Sequence, residues 1–276
     1  MKIAFIGGGN MASALIGGLY ASQDRVGQIR VADPSPDVKE RLEGQWPVNC
    51  FSSAADTISG IDTIVLAVKP QILPVVLDEI RDLVTPDQLI ISIVAGIPVS
   101  RIAEQLGTLQ PIVRTMPNTP ALIGLGITAL YASEACSQDQ RQKADTLMQA
   151  GGETVWLENE NLLNVVTAVS GSGPAYFFYL IEAMRNAGVR LGLSEEVAGK
   201  LALHTAYVAS AMAINGDIDV DELRRRVTSK GGTTEAAIAT FAAGNLESLV
   251  DSAISAATQR GEELAGNTRP TLEEKT

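Results

Sequence analysis

The chain has 276 residues, of which 46% are hydrophobic, and its formal net charge is −11. This length is enough for two modest domains with their own cores, whereas the acidic charge disfavours a protein that grips nucleic acid with clustered lysines and arginines. The two cysteines, Cys50 and Cys136, are far apart and offer neither a disulfide framework nor metal-ligand spacing, so we expect a reducing cytoplasm and no bound metal.

The first half of the chain alternates short apolar runs with segments of helical spacing. The strand candidates are KIAFIG, QIRVAD, DTIVLAV and QLIISIVA, and the helix candidates between them are MASALIGGLYA, PDVKERL, ILPVVLDEIRDLV and PVSRIAEQL. Such alternation predicts a Rossmann-like α/β domain, in which helices cover both faces of a parallel sheet. Further strands are expected at 112–115, 126–131 and 154–157, with a helix at about 137–150.

The composition changes after Glu160, where β-branched runs give way to segments rich in Ala and Leu. Their spacing predicts helices at about 162–169, 174–191, 194–214, 219–227, 233–243 and 246–264. We place a domain boundary near residue 158, with a dinucleotide-binding domain over 1–158 and an all-helical domain over 159–276. Long helices with so many small and apolar residues favour an interlocked dimer.

The two ends of the chain carry no membrane or targeting signal that we recognise. The N-terminal run MKIAFIGGGN ends in a glycine turn without a cleavage site. No apolar run reaches the roughly 18 residues of a membrane span, so we expect no membrane partner. The last residues, NTRPTLEEKT, are expected to be frayed.

The segment Gly7-Gly8-Gly9-Asn10-Met11-Ala12 follows a strand, opens a helix and has the form G-x-G-x-x-A. Gly7 permits a tight turn, Gly9 lets the backbone approach a pyrophosphate, and the small Ala12 allows close packing of helix and strand. The N–H groups at the helix start can then hold the pyrophosphate. The pattern predicts a dinucleotide site, with a plain tight turn as the alternative.

Asp33 ends the second strand candidate, where the dinucleotide fold places a carboxylate for the ribose hydroxyls. This favours NADH over NADPH, because a carboxylate repels the 2′-phosphate. Alternatively, Asp33 caps the helix that begins near Ser35. No arginine directly follows the aspartate to bind a phosphate, although Lys39 and Arg41 come a helical turn or more later.

Two later strand ends, Lys69-Pro70 and Ala95-Gly96, are also expected to face the cofactor, because ligands bind at the carboxyl ends of parallel strands. Lys69 is alternatively a solvated charge. The segment Val227-Thr228-Ser229-Lys230-Gly231-Gly232-Thr233-Thr234 opens another helix and offers amides and hydroxyls to a small anion, or is simply a capped helix start. Similarly, Ser170-Gly171-Ser172-Gly173-Pro174 is typical of a helix start with exposed backbone.

The only histidine, His204, lies among small and apolar residues, and no histidine–carboxylate pair, nucleophile elbow or metal cluster is evident. The chemistry therefore needs little acid–base help. Hydride addition to a protonated C=N bond is such a reaction.

These motifs together resemble those of the pyrroline-5-carboxylate reductase family. F-I-G-x-G-N-M-A-x-A-L-I-x-G-L, L-A-V-K-P-Q, S-I-x-A-G-I, R-x-M-P-N-T-P-A-L, S-G-S-G-P-A-Y and V-T-S-x-G-G-T-T occur in family order. The resemblance implies reduction of 1-pyrroline-5-carboxylate to proline with NAD(P)H, usually NADPH, by a homodimer that often assembles further. Asp33 leaves NADH open.

The resemblance also implies site residues. The expected cofactor contacts are Ile6, Gly7, Gly8, Gly9, Asn10, Met11, Asp33, Ser35, Val68, Lys69, Ala95 and Asn118, the last of them near the nicotinamide. The expected substrate contacts are Glu160, Ser229, Gly231, Gly232, Thr233 and Thr234, with the Thr234 hydroxyl near the ring nitrogen as the catalytic group. A second acidic match falls roughly on Asp217. Lys230 stands where many relatives have proline and adds a positive charge near an anionic substrate.

Two rivals remain from the sequence. A β-hydroxyacid dehydrogenase shares the two-domain outline but has a catalytic lysine on the helix after its central glycine loop, where 174–191 offers only Arg185 and Arg190. A sensor that binds NAD(P) without turnover would carry a degenerate substrate loop, whereas VTSKGGTT is intact.

Overall fold

The computed structural model of the chain describes residues 1–22, 27–107 and 109–266. The strands are β1 Lys2–Ile6, β2 Gln28–Ala32, β3 Asn49–Phe51, β4 Thr63–Leu66, β5 Leu89–Ser92, β6 Ile112–Met116, β7 Gly126–Ala132 and β8 Gly152–Trp156. The helices are α1 Asn10–Ala21, α2 Pro36–Gln45, α3 Leu73–Ile80, α4 Val99–Leu106, α5 Gln138–Gln149, α6 Leu162–Val166, α7 Gly173–Arg190, α8 Glu195–Asn215, α9 Val220–Arg226, α10 Thr233–Ala243 and α11 Leu246–Gly266. The tail expected to fray, 267–276, lies outside the described residues.

Within these described ranges, the strands form one eight-stranded sheet in the order β3-β2-β1-β4-β5-β6-β7-β8. Each neighbouring pair is parallel except β6 and β7, which are antiparallel. The predicted α/β fold is confirmed, and the antiparallel pair refines it. Only a short 3₁₀ turn, Thr119–Ile123, joins β6 to β7, and parallel neighbours need a longer crossover.

Two apolar cores lie on opposite faces of the sheet. Successive side chains of a strand point to opposite faces, so Ile3 and Phe5 of β1 join one core while Ala4 and Ile6 join the other. Helices α1, α2 and α5 cover the first core, and α3 and α4 cover the second. This arrangement fixes the carboxyl ends of the parallel strands at one edge of a rigid platform.

The described residues divide into two compact units, one of Met1–Gly171 together with residues 257–266, and one of Ser172–Ala256. In the second unit α7 packs against α8. The crossing is close because Gly188 lacks a side chain, and a Cβ there would lie 3.3 Å from the Cβ of Ala198. Only Gly173, Ala198 and Ala202 are buried between 172 and 256, so this unit has hardly any core of its own.

Two other features differ from the expectations. The helix expected at 162–169 is a short α6 followed by a π-helical turn at Thr167–Gly171, a distortion that often marks functional sites. Helix α8 is long and apolar enough to cross a membrane by length and composition, contrary to the expectation that no run would be. A single such helix is weak evidence for a membrane.

Candidate functional site

The glycine loop after β1 has the geometry of a dinucleotide cradle. Gly7 has a φ of +103°, and a Cβ there would lie 2.5 Å from the carbonyl oxygen of Ala67. Gly9 begins α1, and a Cβ on it would meet nothing within 4 Å. The open side of Gly9 and the N–H groups of the first α1 turn leave room and donors for a pyrophosphate, so these residues fit a nicotinamide dinucleotide.

Gly8 is held on both sides by charged side chains. Its N–H donates to Oδ2 of Asp33 at 2.8 Å, and its carbonyl accepts from Nη2 of Arg41 at 2.9 Å. The other carboxylate oxygen of Asp33 accepts the N–H of Ser35 at 2.9 Å. Ser35 itself is the N-cap of α2, so Asp33 does not cap that helix directly.

The other expected cofactor contacts lie at neighbouring strand ends. Val68 and Lys69 lie two and three residues beyond the end of β4, and Ala95 lies three residues beyond the end of β5. Lys69 and Ala95 are exposed, whereas Val68 is half-buried. Because β1, β2, β4 and β5 run parallel, these residues share one edge with the glycine loop. That edge includes the β1–β4 boundary, where strand order reverses and where such sheets bind ligands.

Asn118, expected near the nicotinamide, has its side chain committed to the backbone. Its Nδ2 donates to the carbonyl of Ser170 at 3.1 Å, and its Oδ1 accepts the N–H of Ile127 at 3.0 Å. The residue is buried. The Asn118 amide therefore ties the loop after β6 to the π-helical turn 167–171, whose last residues begin the S-G-S-G motif.

Glu160, expected to contact the substrate, forms an ion pair with Arg114. Its Oε1 accepts from Nη1 of Arg114 at 2.9 Å and from the N–H of Val99 at 2.7 Å. The side chains of Arg114 and Glu160 are 8% and 20% exposed. This carboxylate joins β6 to the start of α4, where a negative charge is also favoured by the helix dipole.

The expected substrate loop lies in the second unit, between α9 and α10. Gly231 has a φ of +75°, and Gly232 is the N-cap of α10 with no side-chain hydrogen bond to the cap. The N–H of Gly231 donates to Oε2 of Glu235 at 2.7 Å, and that of Gly232 donates to the carbonyl of Ser229 at 3.0 Å.

The open groups of this loop suit a small anion. The amides in the first turn of α10, which begins with Thr233 and Thr234, have no carbonyl partner within the helix. Ser229, Lys230 and Thr233 are exposed, and Thr234 is half-buried. Backbone donors and hydroxyls are therefore grouped within a few residues, as carboxylate binding requires.

Other residues singled out from the sequence lie elsewhere. His204 is exposed on α8, and Asp217 is exposed between α8 and α9. Desolvation and the nearby Glu43 carboxylate raise the pKa of the Cys50 thiol to about 11. Burial also raises the pKa of Cys136. Both thiols are therefore protonated near neutral pH, which disfavours nucleophilic roles.

Sequence reasoning missed the roles of Arg41, Arg114 and Glu235 in these contacts. For Glu235 a local signal existed, because an acidic residue in the first turn of a helix often reaches back to a free N–H. Arg41 was noted as a basic residue after Asp33, but the sequence did not show that Val38 and Leu42 bring this face of α2 close to Gly8. Arg114 lies within an apolar strand and gave no signal of its ion pair.

Comparisons with known proteins agree along nearly the whole chain. Residues 160–264 match the family model "Pyrroline-5-carboxylate reductase dimerisation", and residues 2–96 match "NADP oxidoreductase coenzyme F420-dependent". The pyrroline-5-carboxylate reductase of Pseudomonas aeruginosa is 47% identical over 264 residues, covering 96% of this chain and 97% of that protein. That of Haemophilus influenzae is 39% identical, covering 95% and 97%.

Solved structures give the same picture. A pyrroline-5-carboxylate reductase from Coxiella burnetii superposes with a TM-score of 0.91 at 38% identity, covering 95% of this chain and 98% of that one. The Plasmodium falciparum pyrroline carboxylate reductase with NADP bound has a TM-score of 0.84 at 28% identity, with coverage of 96% and 98%.

Proposed function

This chain belongs to the pyrroline-5-carboxylate reductase family, and we propose roles for its residues in that reaction. It is an NAD(P)H-dependent oxidoreductase that reduces the C=N bond of 1-pyrroline-5-carboxylate to give L-proline, the last step of proline biosynthesis. It also self-associates through its dimerisation domain. Our proposal concerns which residues bind the substrate and the cofactor and which groups take part in the reaction.

The substrate carboxylate binds to the loop from Ser229 to Thr233 in our proposal. The observation that carries this assignment is the helix start at Gly232, which has no side-chain cap and leaves first-turn amides open. The loop contributes the Ser229 hydroxyl and the amides of Thr233 and Thr234, and Lys230 adds a favourable charge. Gly231 and Gly232, whose N–H groups donate to Glu235 and to the carbonyl of Ser229, shape the loop around the carboxylate. Local donors of this kind let a protein of net charge −11 bind an anion against its overall field.

Thr234 is the proposed catalytic residue, with its hydroxyl hydrogen-bonded near the imine nitrogen. A protonated C=N bond is already electrophilic, so a hydroxyl that orients the nitrogen is sufficient. When bound, the nicotinamide cofactor supplies the hydride that the imine carbon accepts. Catalysis is then mostly the orientation of two bound partners, which agrees with the lack of a histidine–carboxylate pair among the described residues.

The cofactor is proposed to bind at the strand-end edge of the first unit. The glycine loop from Ile6 to Met11 contacts the pyrophosphate, and Asp33 and Ser35 lie toward the adenosine ribose. Val68, Lys69 and Ala95 line the later strand ends. Asn118 is proposed to lie near the nicotinamide and Glu160 near the substrate, and their side chains also support neighbouring segments through the contacts described above. NADPH is the proposed usual cofactor, with NADH also accepted.

Further proposals concern organisation. The Rossmann-like domain extends to about residue 158, and the helical domain from there on contains the substrate loop. The protein is proposed to be a dimer or a higher oligomer built from dimers and to act in the cytoplasm, with neither nucleic acid nor a membrane as a partner.

The role of Thr234 is tested by Thr234→Ala and Thr234→Ser, with oxidation of NADPH followed by absorbance. We expect Ala to lower kcat/KM by roughly 10- to 100-fold, as for loss of a transition-state hydrogen bond, and Ser to restore most of it. Thr240→Ala is the matched control, because Thr240 lies on the same helix and its hydroxyl bonds only to the carbonyl of Ala236. Wild-type turnover and affinity in Thr234→Ala would remove Thr234 from this role.

A further inference from the structure

We propose that Arg41 binds the 2′-phosphate of NADP(H) and offsets Asp33, so that the chain accepts the phosphorylated cofactor despite its aspartate. This inference rests on the proposed use of NADPH. It concerns a residue that the glycine motif does not contain and that lies well beyond the end of β2.

The position of Arg41 follows from the packing of α2 against the glycine loop. A Cβ on Gly8 would lie 2.6 Å from Cγ1 of Val38 and 2.9 Å from Cδ1 of Leu42. The missing side chain of Gly8 thus lets this face of α2 approach closely. Arg41, which lies between Val38 and Leu42 in sequence, is thereby carried to the loop, where its Nη2 donates to Gly8 and to Oγ of Ser13 at 3.2 Å.

Arg41 and Asp33 flank the same residue. Asp33 accepts the Gly8 N–H, and Arg41 donates to the Gly8 carbonyl, so the two opposite charges are separated by one glycine. Each Asp33 oxygen also has a backbone donor, from Gly8 or Ser35. The carboxylate is therefore fixed against the loop, and an adjacent guanidinium reduces its repulsion of a 2′-phosphate. In dinucleotide folds this end of β2 is where the ribose 2′ position binds and where a nearby arginine accommodates the phosphate.

Arg41 still has donors to offer. Both of its hydrogen bonds in the described structure use Nη2, whereas a guanidinium carries five N–H donors in a planar fork. Nη1 and Nε remain to bind phosphate oxygens, and the residue is exposed. The planar fork suits phosphate recognition better than a single ammonium does.

Lys39, the other basic residue expected near this site, faces a different group. Its Nζ donates to Oγ of Ser52 at 2.6 Å, just after β3. Lys39 lies on the same helix as Arg41 and carries the same charge, so it is the matched control for an effect of net charge alone.

The test is calorimetric binding of 2′,5′-ADP and of 5′-AMP to the full chain, as wild type, Arg41→Ala and Lys39→Ala. The two ligands differ only in the 2′-phosphate. We expect Arg41→Ala to weaken the binding of 2′,5′-ADP about tenfold, as for loss of a charge-assisted hydrogen bond. Its Kd for 5′-AMP is expected to change less than about twofold, and Lys39→Ala should change both Kd values less than about twofold.

Three results would overturn the proposal. Equal losses for both ligands in Arg41→Ala would mean that Arg41 only supports the glycine loop. Equal losses of 2′,5′-ADP affinity in Lys39→Ala and Arg41→Ala would indicate that the ligand responds to the positive charge of the region and not to Arg41 itself. If the wild type bound 2′,5′-ADP no more tightly than the ligand without the 2′-phosphate, there would be no 2′-phosphate subsite. These readouts need no turnover, so a protein that binds 2′,5′-ADP through Arg41 but does not reduce pyrroline-5-carboxylate would contradict the substrate assignment alone.

Discussion

Two glycine-containing helix starts of this chain, those of α1 and α10, are built in the same way but supported differently. In each, a glycine N–H donates to a carboxylate, from Gly8 to Asp33 in one loop and from Gly231 to Glu235 in the other. Asp33 is 25 residues from its glycine and directly follows the neighbouring strand β2, whereas Glu235 is four residues away on the helix that follows. Gly8 is buried and Gly231 is exposed.

This difference indicates which residues fix the conformation of each loop. The conformation of the first loop is fixed by residues distant in sequence, those of the sheet and of α2, so this conformation should persist without ligand. The second loop is held by contacts among its own residues, so its geometry depends on local sequence. Changes near the first loop should therefore cost fold stability, and changes in the second should mainly cost substrate affinity.

The largest effect is expected for Gly7→Ala. The backbone at +103° and the 2.5 Å approach of a Cβ to the Ala67 carbonyl should lower the free energy of unfolding by about 3 kcal/mol or more and abolish cofactor binding. Gly9→Ala is the control, because its φ is −67° and its Cβ would have free space. Chemical unfolding and cofactor titration should show Gly9→Ala folded normally but weakened in cofactor binding. A normal stability of Gly7→Ala would mean that the sheet does not impose this turn.

A smaller loss is expected for Glu160→Ala, which leaves the buried Arg114 guanidinium unpaired. We expect the free energy of unfolding to fall by about 2 to 4 kcal/mol, with a lower Tm at fixed protein concentration. Glu158→Ala, at an exposed position nearby, should change stability by less than about 0.5 kcal/mol. If Glu160→Ala instead kept full stability and only raised the KM for substrate, the carboxylate would act on the substrate and not on the platform.

The smallest effect on stability is expected for Glu235→Ala, in the locally supported loop. Loss of the Gly231 contact should raise the KM for pyrroline-5-carboxylate about three- to tenfold, equivalent to one modest hydrogen bond, while the KM for NADPH stays unchanged. Glu235→Gln retains an acceptor and should restore most of the affinity. Glu247→Ala, in the exposed first turn of α11, controls for loss of a negative charge. An unchanged substrate KM in Glu235→Ala would show that the loop holds its shape without this contact.

Much of the fold was predictable because its signals are local. Strand and helix periods, together with the motif order, predicted the α/β platform, the helical second half and the family. The three-residue strand β3 was missed because it is too short to show a period, and its Asn49 belongs to a residue type that is depleted in strands. Strand β7 runs antiparallel to β6 because the connection between them is short. The sequence showed how short this connection is, but the 3₁₀ turn at Thr119–Ile123 was not predicted.

The sequence indicated which residues belong to the site better than it indicated what their side chains contact. Asp33 and Asn118 stand out by their position after strands, yet the sequence does not reveal that their polar atoms are engaged by Gly8, Ser35, Ser170 and Ile127. Arg114 and Glu160 are 46 residues apart, and such a pairing depends on tertiary packing. Which residues touch cofactor or substrate stays a prediction.

The scarcity of buried residues between 172 and 256 also has a consequence for the enzyme as a population of molecules. Phe177, Phe178 and Tyr179 are each more than half exposed in the single chain, so we expect these helices to gain much of their apolar burial on self-association. Assembly by mass action then becomes part of folding, and a cell that makes few copies holds a larger fraction of them incomplete. Expression level therefore sets not only how much enzyme is present but also how durable each molecule is.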